Sequence, residues 1–267
     1  MRAPDSASLK AGIEAAVCEA GALALRVREA SPKSWSKHGG SPVSEADIAV
    51  DNFLRERLTR LAPDCGWLSE ETEDDHARLK ASRLWVVDPI DGTRAFLSGR
   101  QDWSISVALV QNGRPVIATI FAPMQDALYA AAAGAPTMRN GVAVTANPGS
   151  SLEGIKAAGP KPMLERLAAH APNLIMEPKV FSLALRLTRV ADGTLDLAFA
   201  SANSHDWDLA AADLLVHQAG GALTTFAGQT PIYNRADPLH GALVAAGRSR
   251  HEAFLALVRA KALVERI

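Results

Sequence analysis

Leu84-Trp85-Val86-Val87-Asp88-Pro89-Ile90-Asp91-Gly92-Thr93 is the stretch that decides the architecture. Leu84 to Val87 form a short apolar, strand-like run that stops at Asp88-Pro89. The periodicity differs on its two sides. Upstream, residues 8–30 place Leu9, Ile13, Ala16, Val17, Ala20, Leu23 and Val27 at helical spacing. Ser31-Pro32 ends that helix, because the residue before proline avoids the right-handed helical region. A polar loop over 33–43 follows, where Gly39-Gly40 suggests mobility. Ser44 then caps a second amphipathic helix with Ile48, Phe53, Leu54, Leu58 and Leu61 on one side, Asp47 at the capping-box position and Ala62-Pro63 at the end. Downstream, residues 104–110, 115–121 and 127–131 alternate like strands around turn signals such as Gln111-Asn112-Gly113, which predicts an antiparallel meander.

The second half alternates. Strands are predicted at 154–158, 173–176, 194–200, 221–226 and 242–246, and helices at 161–170, 181–191, 207–219 and 249–264. This is an α/β (α+β) pattern of sheet layers covered by helices. The Gly-, Ala-, Pro-, Asn- and Ser-rich segment 134–152 marks a boundary between two subdomains, 1–145 and 146–267. At 267 residues the chain suits one large domain or two small ones.

Composition excludes several classes. Hydrophobic residues make up 48% and charged residues 21%, so the chain is neither disordered nor collagen-like. Lys plus Arg total 28 against 29 for Asp plus Glu, a net charge of -1, which gives no bulk grip on nucleic acid or anionic lipid. Cys18 and Cys65 are too few for a disulfide framework and match no zinc spacing. The start, MRAPDSASLKAG, lacks a signal-peptide layout, and no apolar run reaches the ~18 residues of a membrane span. A soluble cytoplasmic protein is expected. No GxGxxG follows a strand and no Walker-type loop is present, which disfavours nucleotide-cofactor chemistry.

Acidic residues gather in three places, each beside an apolar run. These are Ser69-Glu70-Glu71, Asp88-Pro89-Ile90-Asp91-Gly92-Thr93, and Asp206-Trp207-Asp208 at the head of an alanine-rich helix. Two Asp residues across a proline turn can converge two carboxylates and an intervening carbonyl, the hard oxygen ligands that Mg²⁺ takes. Gly92 permits close backbone approach, and the Gly92 and Thr93 N–H groups can face a phosphate oxygen, aided by a helix beginning near Thr93. Each stretch also has a plainer reading. DPIDGT can be only a turn, Glu70-Glu71 a solvated acidic loop, and Asp206 or Asp208 a helix cap.

Taken together, WVVDPIDGTRAF followed by SISVAL, the upstream SEE and the downstream WDLAA resemble the inositol monophosphatase superfamily over nearly the whole chain. The resemblance implies a layered αβαβα sandwich of the sugar-phosphatase type and a Mg²⁺-dependent, lithium-sensitive phosphomonoesterase, a homodimer acting on a small phosphorylated metabolite. It implies metal ligands at Glu70, Asp88, the Ile90 carbonyl, Asp91 and Asp208, for two or three Mg²⁺ ions. Gly92 and Thr93 then resemble the phosphate cradle, and Thr93 with Asp47, in SPVSEAD, resembles the pair that activates the attacking water. Lys37 resembles a basic residue of the family's mobile segment. Attack would be in line, with the cations neutralising charge on the entering and leaving oxygens.

Substrate is less sharply marked. GRPVIATIFAPMQDALYAA and KxxxSPVSEADIAVD are similar to bacterial 3'(2'),5'-bisphosphate nucleotidases, the first-ranked reading, while FLSG after DGTRA resembles histidinol-phosphate phosphatases. Inositol 1-phosphate is the third alternative. Where many members carry Gly-Ser or Gly-Thr before a helix, this chain has Val180-Phe181-Ser182. Phe181 can present a face to a base or belong to the core of that helix. Before the WD motif, Ser201 to His205 offer no counterpart of the acidic residue of inositol phosphatases. His205 can contact substrate or simply be exposed. A second phosphate would call on Lys37, His38, Arg94 or Lys179, charges that can equally be solvated. A non-catalytic role as an RNA or transcription-complex partner, known among relatives, would need a basic face that the charge balance does not suggest, so no nucleic-acid or membrane partner is expected.

Overall fold

The computed structural model describes residues 6–36 and 42–260. Helix α1 spans Ser6–Glu29, and a short ribbon pairs β1 (Ser34–Ser36) with β2 (Pro42–Ser44) before helix α2 (Glu45–Leu61). Strands β3 (Gly66–Ser69), β4 (Arg83–Asp91), β5 (Ser104–Gln111), β6 (Arg114–Ala122), β7 (Ala127–Ala132), β8 (Met138–Arg139) and β9 (Val142–Ala143) follow, with the five-residue helix α3 (Thr93–Leu97) after β4. The second half contains β10 (Lys156–Ala158), α4 (Lys161–Ala168), β11 (Ile175–Met176), α5 (Leu183–Ala191), β12 (Leu197–Ala200), β13 (Ser204–His205), α6 (Asp206–Gln218), β14 (Gly221–Thr225), β15 (Leu239–His240), β16 (Leu243–Gly247) and α7 (Arg248–Ala260). Among these residues no helix is long and apolar enough to cross a membrane.

A seven-stranded sheet runs in the order β3-β4-β5-β6-β7-β8-β9, antiparallel except for the parallel β3–β4 pair. The predicted meander is its β5–β7 part. Along β4 the side chains alternate: Trp85 and Val87 face the core built by α1 and α2, while Leu84 and Val86 face a second core with α5 and α6. Burial on both faces is why β4 reads as a continuous apolar run rather than as polar–apolar alternation. The second core continues onto Ala198, Ala200, Leu223, Leu243 and Ala245 of a five-stranded sheet, ordered β11-β10-β12-β16-β14. That sheet's far face packs Leu197, Phe199, Val244 and Ala246 against Met163, Leu164, Leu167, Phe254 and Val258 of α4 and α7. The five layers are helix, sheet, helix, sheet, helix, as expected. The two sheets fall on either side of 144–155, and one core cluster draws on both.

Helix α6 explains the alanine bias. Leu209 to Val216 are all buried, because the helix lies between two sheets and touches both. A helix apolar all round is one with no solvent face, and small side chains let the sheets approach.

Several boundaries shift. Strand β4 continues through Asp91 instead of stopping at Asp88, because a register shift between Asp88 and Asp91 accommodates Pro89, which lacks the ladder donor. Part of the predicted 33–43 loop is ribbon, while Lys37, His38 and Gly39-Gly40 lie outside the described residues, as does 261–264 of the last predicted helix. Helix α5 begins at Leu183, so Phe181 precedes it rather than lying on it. Ser44 caps α2 and Asp47 closes the capping box, as predicted.

At the end of β16, a Cβ on Gly247 would come within 2.2 Å of the Asn147 carbonyl oxygen. Backbone cannot yield as a flexible side chain does. Gly247→Ala should destabilise by about 2–3 kcal/mol, a fall of very roughly 4–12 °C in melting temperature, measurable by calorimetry.

Candidate active site

The bulge at the end of β4 delivers Asp88 and Asp91, 1% and 5% exposed, to the floor of a cavity of about 270 Å³. Glu70 enters the same cavity from the end of β3, parallel to β4, so the two strand ends open on the same side. Asp208 enters from the first turn of α6. One carboxylate oxygen from each of Asp88, Asp91 and Asp208 lies within 4.8 Å of the other two. Glu70 lines the cavity beside that trio, and Glu71 is not part of the lining.

Each carboxylate is oriented by backbone. Asp88 accepts from the Ile90 N–H at 3.1 Å. The Asp91 carboxylate sits on the N-terminus of α5, accepting from Leu183 N–H at 3.1 Å, Ala184 N–H at 2.6 Å and the Ser182 hydroxyl at 2.6 Å. Ser182 in turn caps α5 by accepting from Leu185 N–H at 2.9 Å. Free N–H groups and the helix dipole favour a negative charge there. Asp208 accepts from the His205 N–H at 2.6 Å, so it both caps α6 and faces the cluster. Asp206 faces away, toward His240 and Asn234.

Gly92, at φ +91°, has no room for a side chain: a Cβ would stand 3.0 Å from Ser182 N and 3.3 Å from the Asp102 carbonyl. Its close approach is to the head of α5. Thr93 opens α3 and lines the cavity, its hydroxyl 3.1 Å from Asp47 Oδ1 and 3.2 Å from the Ile90 carbonyl. Asp47 is buried and also accepts from Ser44 N–H at 2.8 Å and Ser44 hydroxyl at 2.6 Å.

The electrostatics follow from this crowding. Burial first, then the charges of Glu70, Asp91, Asp208 and Asp47, push the Asp88 carboxyl well above the ordinary range. Burial and Asp208 raise Asp91 to about 7, against the lowering effect of its bonds to Ser182, Ala184 and Leu183. Burial also raises Asp47, against its own hydrogen bonds. Oxygen-only donors that cannot all ionise unaided match a hard divalent cation.

Around this floor the other predicted residues take different places. Phe181 lines the cavity and packs on the α1–α2 core, with Lys179 Nζ 4.5 Å and Arg100 Cζ 4.9 Å from its ring centre. His205 stacks on Trp207 at 4.4 Å and is absent from the cavity lining. Arg94 and Lys179 do line it. Lys37 lies outside the described residues. The sequence reading missed Ser182 as the anchor of Asp91, although a Ser before an amphipathic run is an ordinary cap signal. It also missed Arg186, buried in α5, whose Nε has no hydrogen-bond partner among the described residues. Burial lowers its pKa, and the fields of Asp91 and Asp208 oppose that lowering.

Fold and site together define a five-layered α/β protein with a cluster of carboxylates that could hold a cation. The family model for the inositol monophosphatase family matches residues 6–263, and the chain belongs to that family. It is 34% identical over 188 residues to an inositol-1-monophosphatase of Rhizobium meliloti (strain 1021), covering 67% of this chain and 70% of that one. It is 32% identical over 231 residues to a 3'-phosphoadenosine 5'-phosphate phosphatase of Mycobacterium bovis, covering 82% of each. Its fold matches the extragenic suppressor protein suhB from Bartonella henselae with a TM-score of 0.83 at 25% identity, over 97% of this chain and 100% of the other. As a member of this family, the chain is a phosphomonoesterase.

Because the folded Asp91 carboxyl titrates near 7 against about 3.9 when unfolded, the cation-free folded state binds more protons between those values. Stability then falls as pH rises through that window. Calorimetry in chelator should show a melting temperature lower at pH 8 than at pH 5 by about 3 °C or more. A divalent cation should raise it more at pH 8 than at pH 5. Equal cation effects at both pH values would contradict the assigned electrostatics.

Proposed function

We propose that the chain is a Mg²⁺-dependent phosphomonoesterase whose substrate carries a second anionic group, with a 3'(2'),5'-bisphosphate nucleotide as the favoured substrate. The observation supporting the metal is the convergence of Asp88, Asp91 and Asp208 within 4.8 Å. Glu70 and the Ile90 carbonyl complete the donor set, for two or three ions. Bound there, Mg²⁺ would supply charge neutralisation and lower the pKa of an attacking water.

The chain's own groups have distinct tasks on this reading. Thr93 orients the water through its hydroxyl, and Asp47, already hydrogen-bonded to that hydroxyl, accepts the proton that the water gives up through Thr93. Burial raises the Asp47 pKa and so suits it to hold that proton. Gly92 and Thr93 receive the phosphate at the head of α3. Lys37, as in the resemblance, is a proposed basic contact from the segment before β2.

Support for the second anion comes from the flank of the cavity. Lys179 lines both the acidic cavity and a neighbouring pocket of about 570 Å³ that Arg186, Lys161 and Ser201 also line. Arg186 is 9% exposed at that pocket's wall, and a guanidinium is a fitting partner for an anionic oxygen. Phe181, which lines the cavity, is the proposed contact for the base or sugar; His205, stacked on Trp207, is the weaker contact. A homodimer is the expected assembly, and sedimentation distinguishes it from a single chain. Li⁺ should inhibit turnover.

Asp88→Asn and Asp91→Asn should keep native circular dichroism and lose more than about 100-fold in kcat. Turnover above about a hundredth of wild type would overturn those roles. In matched assays of adenosine 3',5'-bisphosphate, inositol 1-phosphate and histidinol phosphate, the bisphosphate should lead in kcat/KM by more than tenfold, ~1.4 kcal/mol. Arg186→Met should erase that lead by raising KM for the bisphosphate alone. A preference for either monophosphate would overturn the nucleotidase reading and leave the metal site standing.

A further inference from the structure

The segment 70–82 leaves β3 at Glu70 and is mostly exposed or half-buried, yet it carries one arginine whose side chain is 1% exposed. Arg78 sits on a single 3₁₀ turn, Ala77–Lys80. Its guanidinium donates from Nε and Nη2 to Asp74 Oδ2 at 3.0 and 2.7 Å, within its own segment. The rest of the fork crosses to a part of the chain 156 positions away. Nη1 donates to Asn234 Oδ1 at 2.7 Å, and Nη2 to the Arg235 carbonyl at 3.0 Å.

From Asn234 the contacts continue to α6. The Asn234 N–H donates to Asp206 Oδ2 at 2.8 Å, and the other oxygen of Asp206 lies 2.7 Å from His240 Nε2. The Asp206 N–H donates to the Pro238 carbonyl at 3.0 Å, and β13 pairs with β15 through Ser204–His240 and His205–Leu239. Asp206 is fully buried, is the first residue of α6, and precedes Asp208 by two positions. One hydrogen-bonded path therefore joins the segment that begins at Glu70 to the helix turn that carries Asp208. Asp88 and Asp91 stand on one strand and the Glu70 N–H donates to the Val87 carbonyl of that strand at 3.3 Å, so Asp208 is the carboxylate that comes from a distant part of the chain.

We infer that Arg78 is a positioning residue: through Asn234 and Asp206 it braces the first turn of α6, and with it the Asp208 carboxylate, against the segment that follows β3. The inference rests on the reading of that cavity as a metal site. Arginine suits the place because its planar fork makes four bonds to Asp74, Asn234 and the Arg235 carbonyl at once, where a lysine ammonium has three donors and no fixed fork. Outer partners that orient metal ligands typically change metal affinity by about 10–100-fold when removed.

Arg78 itself is so deeply placed that its removal can unfold the segment, so the test acts at Asn234. Asn234 has φ +60°, which glycine and aspartate both tolerate. Full-length wild type, Asn234→Gly, Asn234→Asp and Tyr233→Phe would be titrated with Mg²⁺ alone by calorimetry, with circular dichroism as the check on folding. Tyr233→Phe is the structural control, because it breaks a bond from the same segment to Asp213 that lies off the path. The expected result is a Mg²⁺ dissociation constant about tenfold higher in Asn234→Gly, recovery toward wild type in Asn234→Asp, which keeps an acceptor for Arg78, and no change in Tyr233→Phe. Wild-type affinity in Asn234→Gly, or an equal loss in Tyr233→Phe, would overturn the positioning role while leaving the metal site intact. A wild-type protein that binds no Mg²⁺ would instead overturn the metal-site reading and the positioning role with it.

Discussion

Mutual repulsion of buried carboxylates is the constraint on which this structure turns. Two unit charges ~5 Å apart at an effective dielectric of ~20 repel by about 3 kcal/mol, and Asp88, Asp91 and Asp208 offer oxygens within 4.8 Å of one another. A flexible chain would let them separate. The structure prevents that: Asp88 and Asp91 stand on either side of the β4 bulge, N–H groups at the head of α5 hold Asp91, and the capping box of α6 holds Asp208. These N–H groups also replace part of the hydration the carboxylates lose. The charge that remains uncompensated is what a cation would meet.

That rigidity comes from the layers. Helix α6 can hold Asp208 in register with β4 because it is clamped between the two sheets along most of its length. Its alanines set a short distance between the sheets, and α5, which seats Asp91, lies in the same layer. The central helical layer and the cation site therefore share one packing problem. A large residue at Ala210 or Ala211 would push the sheets apart and displace the head of α6 from β4.

Most of this was legible locally. The helical spacing of Leu9 to Val27, the Ser44 cap and the apolar run Leu84 to Val87 each stand for an element that forms, because each depends on near neighbours in sequence. The acidic stretches were legible as motifs for the same reason. Contacts between distant segments were not. Pro89 reads as a strand end, and only pairing with β5 reveals a bulge that carries the strand on to Asp91. Arg78 reads as a surface charge beside Asp74 and Asp75, since its partners lie 156 and 157 positions away. Arg186 sits among apolar helix residues, and its burial appears only when the sheets close over α5.

The missing glycine before α5 shows how such a departure is absorbed. A glycine is required where the backbone is left-handed or where another chain segment leaves no space for a Cβ. Neither holds at Phe181 or Ser182: neither residue has a positive φ, and Ser182 has an ordinary φ of -68°. The tight approach is met from the other side by Gly92, where a Cβ would strike Ser182 N. Position 181 is thus free to carry a ring, with Lys179 Nζ and Arg100 Cζ 4.5 and 4.9 Å from its centre, the arginine also paired with Asp102 at 2.8 Å. A cavity edge that carries Lys179, Arg94 and an aromatic side chain suits an anionic, planar group better than a neutral polyol, whose hydroxyls need acceptors as well as donors. The same substitution that weakens the resemblance to inositol phosphatases thereby strengthens the case for a substrate with a second phosphate.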